Sequence, residues 1–367
     1  MSLRTAAMRR ATRRKQSRGG GRAGALLVLV ALVAGATPSS AEPYAIAPAP
    51  RDEEGRFQNP GGPLERAGPR VTLPFFVRRF IGSFREREGL PRRVANDGAW
   101  LRENARHSVP SVTWIGHATL LVQMGHLTFL TDPIWSDNPS PVSFAGPRRH
   151  VPPGVALDEL PPVDFVVVSH NHYDHLDLPT LVALAARNPD ARFYVPLGNG
   201  ALLGDEGIAN VVELDWGERV EHAGAEVICL PARHWSQRGI GDQRRGLWSS
   251  WGVFSDERRF YFAGDTGVFA GFEAIGAEHG PFDLAAVPIG AYQPVEMMRP
   301  SHLNPEEAAE AGRALRARRI VGMHYGTFDL SDEPLDEPPR RFREAGRAQG
   351  YEDDQIWLLG VGETRPF

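Results

Sequence analysis

The chain has 367 residues, 41 of them basic and 45 acidic, for a formal net charge of −4. Residues 1–41 hold eight basic residues and no acidic one, so residues 42–367 carry 33 basic against 45 acidic, a balance of −12. That balance, with no basic run, excludes a binder that tracks nucleic-acid phosphates; a single cysteine, Cys229, excludes an intrachain disulfide and reads as a buried small hydrophobe.

Seven arginines and Lys15 fill residues 1–22, an apolar stretch covers 23–36, and Ser39-Ser40-Ala41 fits a small-x-small cleavage site. This order predicts a secretory signal peptide over 1–41 and export to the periplasm or cell envelope. The apolar stretch is short against the roughly 20 residues of a membrane span, and a retained anchor is the rival reading. Arg9-Arg10 and Arg13-Arg14 leave Sec and twin-arginine export both open. Residues 42–107, rich in Pro, Gly and Arg, predict an irregular N-terminal extension wrapping the main domain, disordered near 47–62, with an apolar island at 73–77. Residues 108–367 are enough for one large domain. Within it, 112–114 and 120–122 begin a strand-rich half, and the apolar run 163–168 reads as a buried strand. A helix is predicted over 179–187. Asp256-Glu257, between 251–254 and 260–262, signals a hairpin. A second helix is predicted from Pro305 to about Arg318, with Asn304 as its cap and Glu306-Glu307 at its positive end.

The chemistry concentrates after 163–168, in Ser169-His170-Asn171-His172-Tyr173-Asp174-His175. Three imidazoles and a carboxylate within six residues, on a loop at a strand end, sit where α/β proteins place their sites. Alternation lets His170 and His172 point to one side and chelate one ion, while Asp174 and His175 turn toward a second. His234, Asp265 and His324 each follow a further strand-like run, at 227–231, 259–263 and 319–323. Seven donors at four strand ends suit two ions bridged by one carboxylate. Imidazole with carboxylate suits zinc, with manganese and iron open. Asp265 is the candidate bridge. Asp174 is a candidate ligand and proton acceptor.

His-x-His-x-Asp-His followed by His, Asp and His resembles the metallo-β-lactamase superfamily. Thr113 to Thr119, Leu130-Thr131-Asp132-Pro133, Pro288 to Tyr292, His302-x-Asn304-Pro305-Glu306-Glu307-Ala308, His324 to Phe328 and Phe57-Gln58-Asn59-Pro60 resemble, more narrowly, its N-acyl-phosphatidylethanolamine-hydrolysing phospholipase D branch. The resemblance implies an α/β fold of the αββα four-layer sandwich type. It also implies a phosphodiesterase of phospholipase D type holding two zinc ions, acting on phospholipid with peripheral membrane contact and no nucleic acid. Between two such ions a bound water becomes the nucleophile. His302 matches a position that contacts the phosphoryl group. Asp132 is placed to orient a ligand imidazole, with His117 beside it. Tyr173, and Arg148 and Arg149 after the Pro-rich loop 139–147, are candidate substrate contacts. Gln293 and Val295-Glu296-Met297 depart from the branch pattern, and 239–247, with Arg244-Arg245, reads as an insertion near His234. The alternative with the same metals is an exported hydrolase of lactones, β-lactams or other small esters. A flavin di-iron protein would carry Glu in place of His172 and a flavin domain, and a non-catalytic zinc-binding envelope protein would not need the full donor set. The sequence leaves the oligomeric state open.

Overall fold

The computed structural model describes residues 44–82, 88–142 and 146–367, with side chains from 80 to 82 set aside; the expected signal peptide over 1–41 and Phe144 of the Pro-rich loop lie outside the described residues. The first seven strands are β1 (Ser111–Gly116), β2 (Thr119–Met124), β3 (Leu127–Thr131), β4 (Phe165–Val167), β5 (Arg192–Pro196), β6 (Val211–Leu214) and β7 (Arg219–His222). The others are β8 (Ala225–Leu230), β9 (Ser250–Phe254), β10 (Arg259–Phe262), β11 (Leu284–Pro288), β12 (Ile320–Met323), β13 (Ile356–Trp357) and β14 (Thr364–Pro366). The helices are α1 (Pro69–Gly82), α2 (Ala99–His107), α3 (Leu178–Arg187), α4 (Gly200–Gly204), α5 (Gly271–His279), α6 (Val295–Met298), α7 (Pro305–Ala314) and α8 (Glu337–Ala348).

Two seven-stranded mixed sheets result, in the orders β14-β1-β2-β3-β4-β5-β6 and β13-β12-β11-β10-β9-β8-β7. Each starts as an antiparallel meander and continues in parallel: β3 to β6 in one, β10 to β13 in the other. Side-chain alternation builds the layers. Phe165 and Val167 of β4 face the core between the sheets, while Val166 and Val168 face a second core with Leu181 and Leu184 of α3 and Leu101 of α2. Leu120 and Val122 against Leu121 split the same way in β2. Phe129 of β3 meets Phe260 of β10 edge to face at 5.7 Å, which joins the sheets directly. Phe272 and Ile275 of α5, Ala308 of α7 and Phe342 of α8 cover the other sheet. This is the expected four-layer α/β sandwich. Cys229 is buried in β8 as a core side chain.

The 42–107 segment departs from the expectation of an irregular extension, because it carries α1 and α2. Pro69 sits at the start of α1, where its missing N–H costs nothing; Phe75 is buried, and Arg79 pairs with Asp329 and, at 3.2 Å, with Asp332. Residues 47–62, expected to be disordered in part, are pinned instead. Phe57 is buried and its N–H donates to the Arg244 carbonyl at 2.9 Å, and the Ala49 N–H donates to Asp215 Oδ1 at 3.0 Å. The helix expected over 305–318 is shorter. It opens on a capping box between Asn304 and Glu307, and the chain leaves helical geometry at Arg316, whose φ is 56°.

Candidate metal centre

The donors come together because the strands that carry them end on one side of the sandwich. β4 runs into the loop of His170, His172, Asp174 and His175; β8 leads to His234, β10 to Asp265 and β12 to His324. The β1–β2 turn contributes His117 and the end of β3 contributes Asp132. Three of these residues hold left-handed backbone: His117 at φ 53°, Asp132 at 36° and His324 at 60°. Such geometry in a non-glycine residue is uncommon and costs energy, and it clusters at functional sites. Gly264 has φ 58°, and a Cβ there would lie 2.5 Å from Ser169 Cβ, so only glycine lets Asp265 approach the histidine loop this closely.

Two donor sets face each other. In the first, His172 Nδ1 lies 2.7 Å from His170 Nε2 and 3.3 Å from His234 Nε2. In the second, His175 Nε2 lies 3.3 Å from Asp174 Oδ2 and 3.2 Å from His324 Nε2, and His324 Nε2 lies 3.7 Å from Asp174 Oδ2. Asp265 reaches both: Oδ2 is 3.2 Å from His175 Nε2 and 3.9 Å from His234 Nε2, and Oδ1 is 3.1 Å from His324 Nε2. The structure therefore assembles all seven residues chosen from the sequence.

Their outer partners fix which nitrogen points inward. The Ser169 N–H and Oγ–H donate to the two oxygens of Asp132, each at 2.6 Å. Ser169 Oγ is then free to accept from His170 Nδ1 at 2.9 Å. The other contact of Asp132 is His175 Nδ1, 2.6 Å from its Oδ2. His234 Nδ1 donates to the Ser301 carbonyl at 2.9 Å. In each case the outer nitrogen carries the proton and leaves the inner one as a lone pair. His172 Nε2 is buried without a hydrogen-bond partner, and His172 Nδ1 faces the inner nitrogens of both His170 and His234. The donor chemistry thus fits a metal ion in the first set, and the mixed set around Asp174, His175 and His324 fits a second.

Charge follows the same division. Burial holds His170 and His234 well below the usual histidine range, with neighbouring histidines adding to it, and brings His172 down to about 4. These three are neutral, as ligands must be. Burial also opposes charge on His175 and His324, but Asp265 and Asp174 overcome it; His175 is held well above the usual range and His324 rises to about 9.

The remaining sequence candidates divide. His117 Nε2 donates to Asp174 Oδ2 at 2.9 Å, so it joins the second cluster directly. His302, half-buried, puts Nδ1 3.8 Å from Asp265 Oδ2, at the edge of both sets. Tyr173 turns away, its hydroxyl donating to the Arg238 carbonyl at 2.9 Å. Arg149 is corrected as a substrate contact. Its guanidinium donates to the carbonyls of Ser136 at 3.1 Å and Ile134 at 2.9 Å and packs over Phe328, so it staples the loop from inside. Arg148 is exposed and does not join the cluster. Three residues were missed by sequence reasoning. Ser301 acts only through its carbonyl. Trp235 packs its ring 4.4 Å from that of His172. Arg238 lies over the Tyr173 ring at 4.0 Å and donates to the carbonyls of Asn171 and Leu176 at 3.0 and 2.8 Å. Position beside His234 was the available signal for Trp235; no local pattern marks the other two.

Residues 128–325 match the model of a β-lactamase superfamily domain. The chain is 45% identical over 263 residues to N-acyl-phosphatidylethanolamine-hydrolyzing phospholipase D 1 of Caenorhabditis elegans, covering 68% of this chain and 74% of that one. It is 29% identical over 365 aligned positions to the mitochondrial N-acyl-phosphatidylethanolamine-hydrolyzing phospholipase D of Saccharomyces cerevisiae, covering 87% and 77%. Among solved structures, isothiocyanate hydrolase from Delia radicum gut bacteria superposes with a TM-score of 0.57 at 24% identity, over 70% of this chain and 99% of that one. At that identity the likeness concerns the fold.

Proposed function

This chain belongs to the β-lactamase superfamily and, within it, to the N-acyl-phosphatidylethanolamine-hydrolysing phospholipase D branch of metal-dependent hydrolases; from that premise we propose that it cleaves the phosphodiester of an N-acyl-phosphatidylethanolamine-like lipid and releases phosphatidic acid. His170, His172 and His234 would hold one zinc ion and Asp174, His175 and His324 a second, with Asp265 within reach of both sets. Bound there, the two ions supply Lewis acidity and a nucleophilic water. Burial lowers His302 to about 4, so it stands at the edge of the site as a neutral imidazole able to give an N–H to a phosphoryl oxygen. Asp174, which accepts from His117 at 2.9 Å, would take the proton of a water activated there.

The observation that carries the lipid reading is an apolar cavity of about 690 Å³ lined in part by Leu64, Ala67, Phe76, Met297, Pro300 and Trp235. Its volume suits a drug-sized apolar ligand. Trp235 touches His172 and Ser301 holds His234, so this space abuts the first donor set, whereas a small lactone needs no such volume. The cavity lies against α1 and the residues before it. Leu73, Phe76 and Val77 of α1 are exposed, which supports peripheral contact with a lipid surface. No helix among the described residues is long and apolar enough to cross a membrane.

Hydrolysis by the metal-loaded protein should be compared across N-acyl-phosphatidylethanolamine, bis-p-nitrophenyl phosphate, lactones and nitrocefin. His302→Ala should lower kcat/KM for the phosphodiesters by about ten- to a hundredfold, the value of one hydrogen bond to a charged group, with metal content unchanged. Lactones turned over far faster than any phosphodiester by the wild type would replace this reading with the small-ester alternative. We also propose that residues 1–41 direct export. Mass spectrometry of protein from its native host should find an N-terminus between residues 36 and 42; intact Met1 in carbonate-washed membranes would favour a retained anchor.

A further inference from the structure

At the other end of β12 lies a cavity of opposite character. About 490 Å³ of space is lined by Arg313, Arg316, Arg318, Arg319, Tyr351 and Gln355, and no carboxylate lines it. Arg319 precedes β12 and His324 follows it, so at about 3.3 Å per residue the two ends are roughly 15 Å apart. This cavity is therefore separate from the metal centre.

The charge around it is unbalanced. Arg318 is paired with Asp283 at 3.1 Å. Arg313 lies over the Tyr351 ring at 5.1 Å, and the Tyr351 hydroxyl donates to the Ala317 carbonyl at 3.1 Å, which fixes that ring as a wall. Arg316 and Arg319 have no ion pair among the described residues. Residues 42–367 carry 33 basic against 45 acidic side chains, so four cations around one acid-free space run against the character of the chain. The negative end of α7 favours a cation in its last turn and accounts for Arg313. It does not account for Arg319, which precedes β12, or for Gln355 across the space. Arg316 holds φ 56° at a position helices usually give to glycine or asparagine. The turn is pinned there by the Arg316 N–H on the Arg313 carbonyl at 2.9 Å and the Ala317 N–H on Gly312 at 3.0 Å.

We infer that this cavity is a second, anion-binding site, taking the phosphomonoester group of a small molecule or of a lipid headgroup. Guanidinium forks match phosphate oxygens two at a time, and Gln355 can add an amide donor. A phosphomonoester carries up to two charges, within the excess left by Arg313, Arg316 and Arg319, of which none has an ion pair among the described residues.

The test uses the metal-loaded full chain. Titration calorimetry with inorganic phosphate and glycerol 3-phosphate, and flotation with phosphatidylcholine vesicles with and without phosphatidic acid, compare wild type with Arg316→Asn/Arg319→Gln. Asparagine suits the left-handed backbone. Arg319→Gln alone gives a second variant should the pair fold poorly. The variant should lose one binding event or weaken it at least about tenfold, while kcat/KM on bis-p-nitrophenyl phosphate stays the same. Loss confined to glycerol 3-phosphate assigns a soluble ligand, and loss confined to phosphatidic acid vesicles assigns a headgroup. Equal binding by wild type and folded variant, within twofold on every probe, overturns the proposal.

Discussion

Asp132 lies outside both donor sets, yet it orients one imidazole in each: His175 directly and His170 through Ser169. Burial pushes its own pKa up, and its carboxylate keeps three close contacts to offset that cost. Asp132→Asn preserves the shape but replaces one acceptor oxygen with a donor. Either Ser169 or His175 then meets the wrong partner, and the inward lone pair is lost. Chelator competition should show metal affinity falling about ten- to a hundredfold with the fold intact, and an unchanged affinity would remove Asp132 from this role. Asp265→Asn should act differently, because Asp265 touches both sets: elemental analysis should fall from two metals toward one, and activity by orders of magnitude. The seven donors were legible because each stands at the end of an apolar run and four crowd one loop. Ser301 was not, because a main-chain carbonyl 67 residues from His234 leaves no mark in composition. Arg149 was misread for the same reason: its partners are carbonyls, and a sequence shows only that it is charged.

At the scale of elements, periodicity located the sheets and the sharper helices. The split of β2 and β4 between two cores is a finding of the structure, whereas Asn304 with Glu307 marked the start of α7. The end of α7 was placed too late because Arg316 and Arg318 are good helix residues; the turn is set by contacts around Gly312 and Phe282, which local propensity does not report. α1 was hidden by Pro74 and by its mixed composition, since its support is tertiary: Phe75 inside and Arg79 on Asp329 and Asp332. The loop 239–247 looked like a loose insertion. Its neighbour Arg238 instead clamps the histidine loop, giving hydrogen bonds to Asn171 and Leu176 and stacking on Tyr173. Arg238→Ala should orphan both carbonyls at roughly 1–3 kcal/mol each. Its melting temperature and metal retention should drop together. Arg238→Lys, able to donate but not to stack as a plane, should recover part of both. If metal retention survives in Arg238→Ala while stability falls, the residue supports the fold alone.

Across the whole molecule, the segment before the sandwich completes the metal centre rather than decorating it. Asn59 is buried, accepts from the His234 N–H at 2.9 Å and donates to the His234 carbonyl at 2.7 Å, across 175 residues. Ala49 on Asp215, and Phe57 and Asp52 on Arg244, hold that segment in place. The sequence suggested that this stretch belongs to the family pattern, through Phe57 to Pro60, but gave no physical reason; the reason is that His234 follows β8 on irregular chain and has no strand neighbour for its backbone. Asn59→Ala removes both bonds and leaves two buried main-chain groups unpaired, each costing roughly 1–3 kcal/mol. Because the ring of His234 is steered from its backbone, the loss should reach the first donor set before the second. Metal titration of Asn59→Ala should therefore show weakened binding of the ion held by His170, His172 and His234, with the Asp174, His175 and His324 set nearer to wild type. Asn59→Asp, which keeps the acceptor but not the donor, should fall between the two. Equal weakening of both ions would mean that Asn59 serves the stability of the whole chain, and identical binding would mean that His234 is held without it.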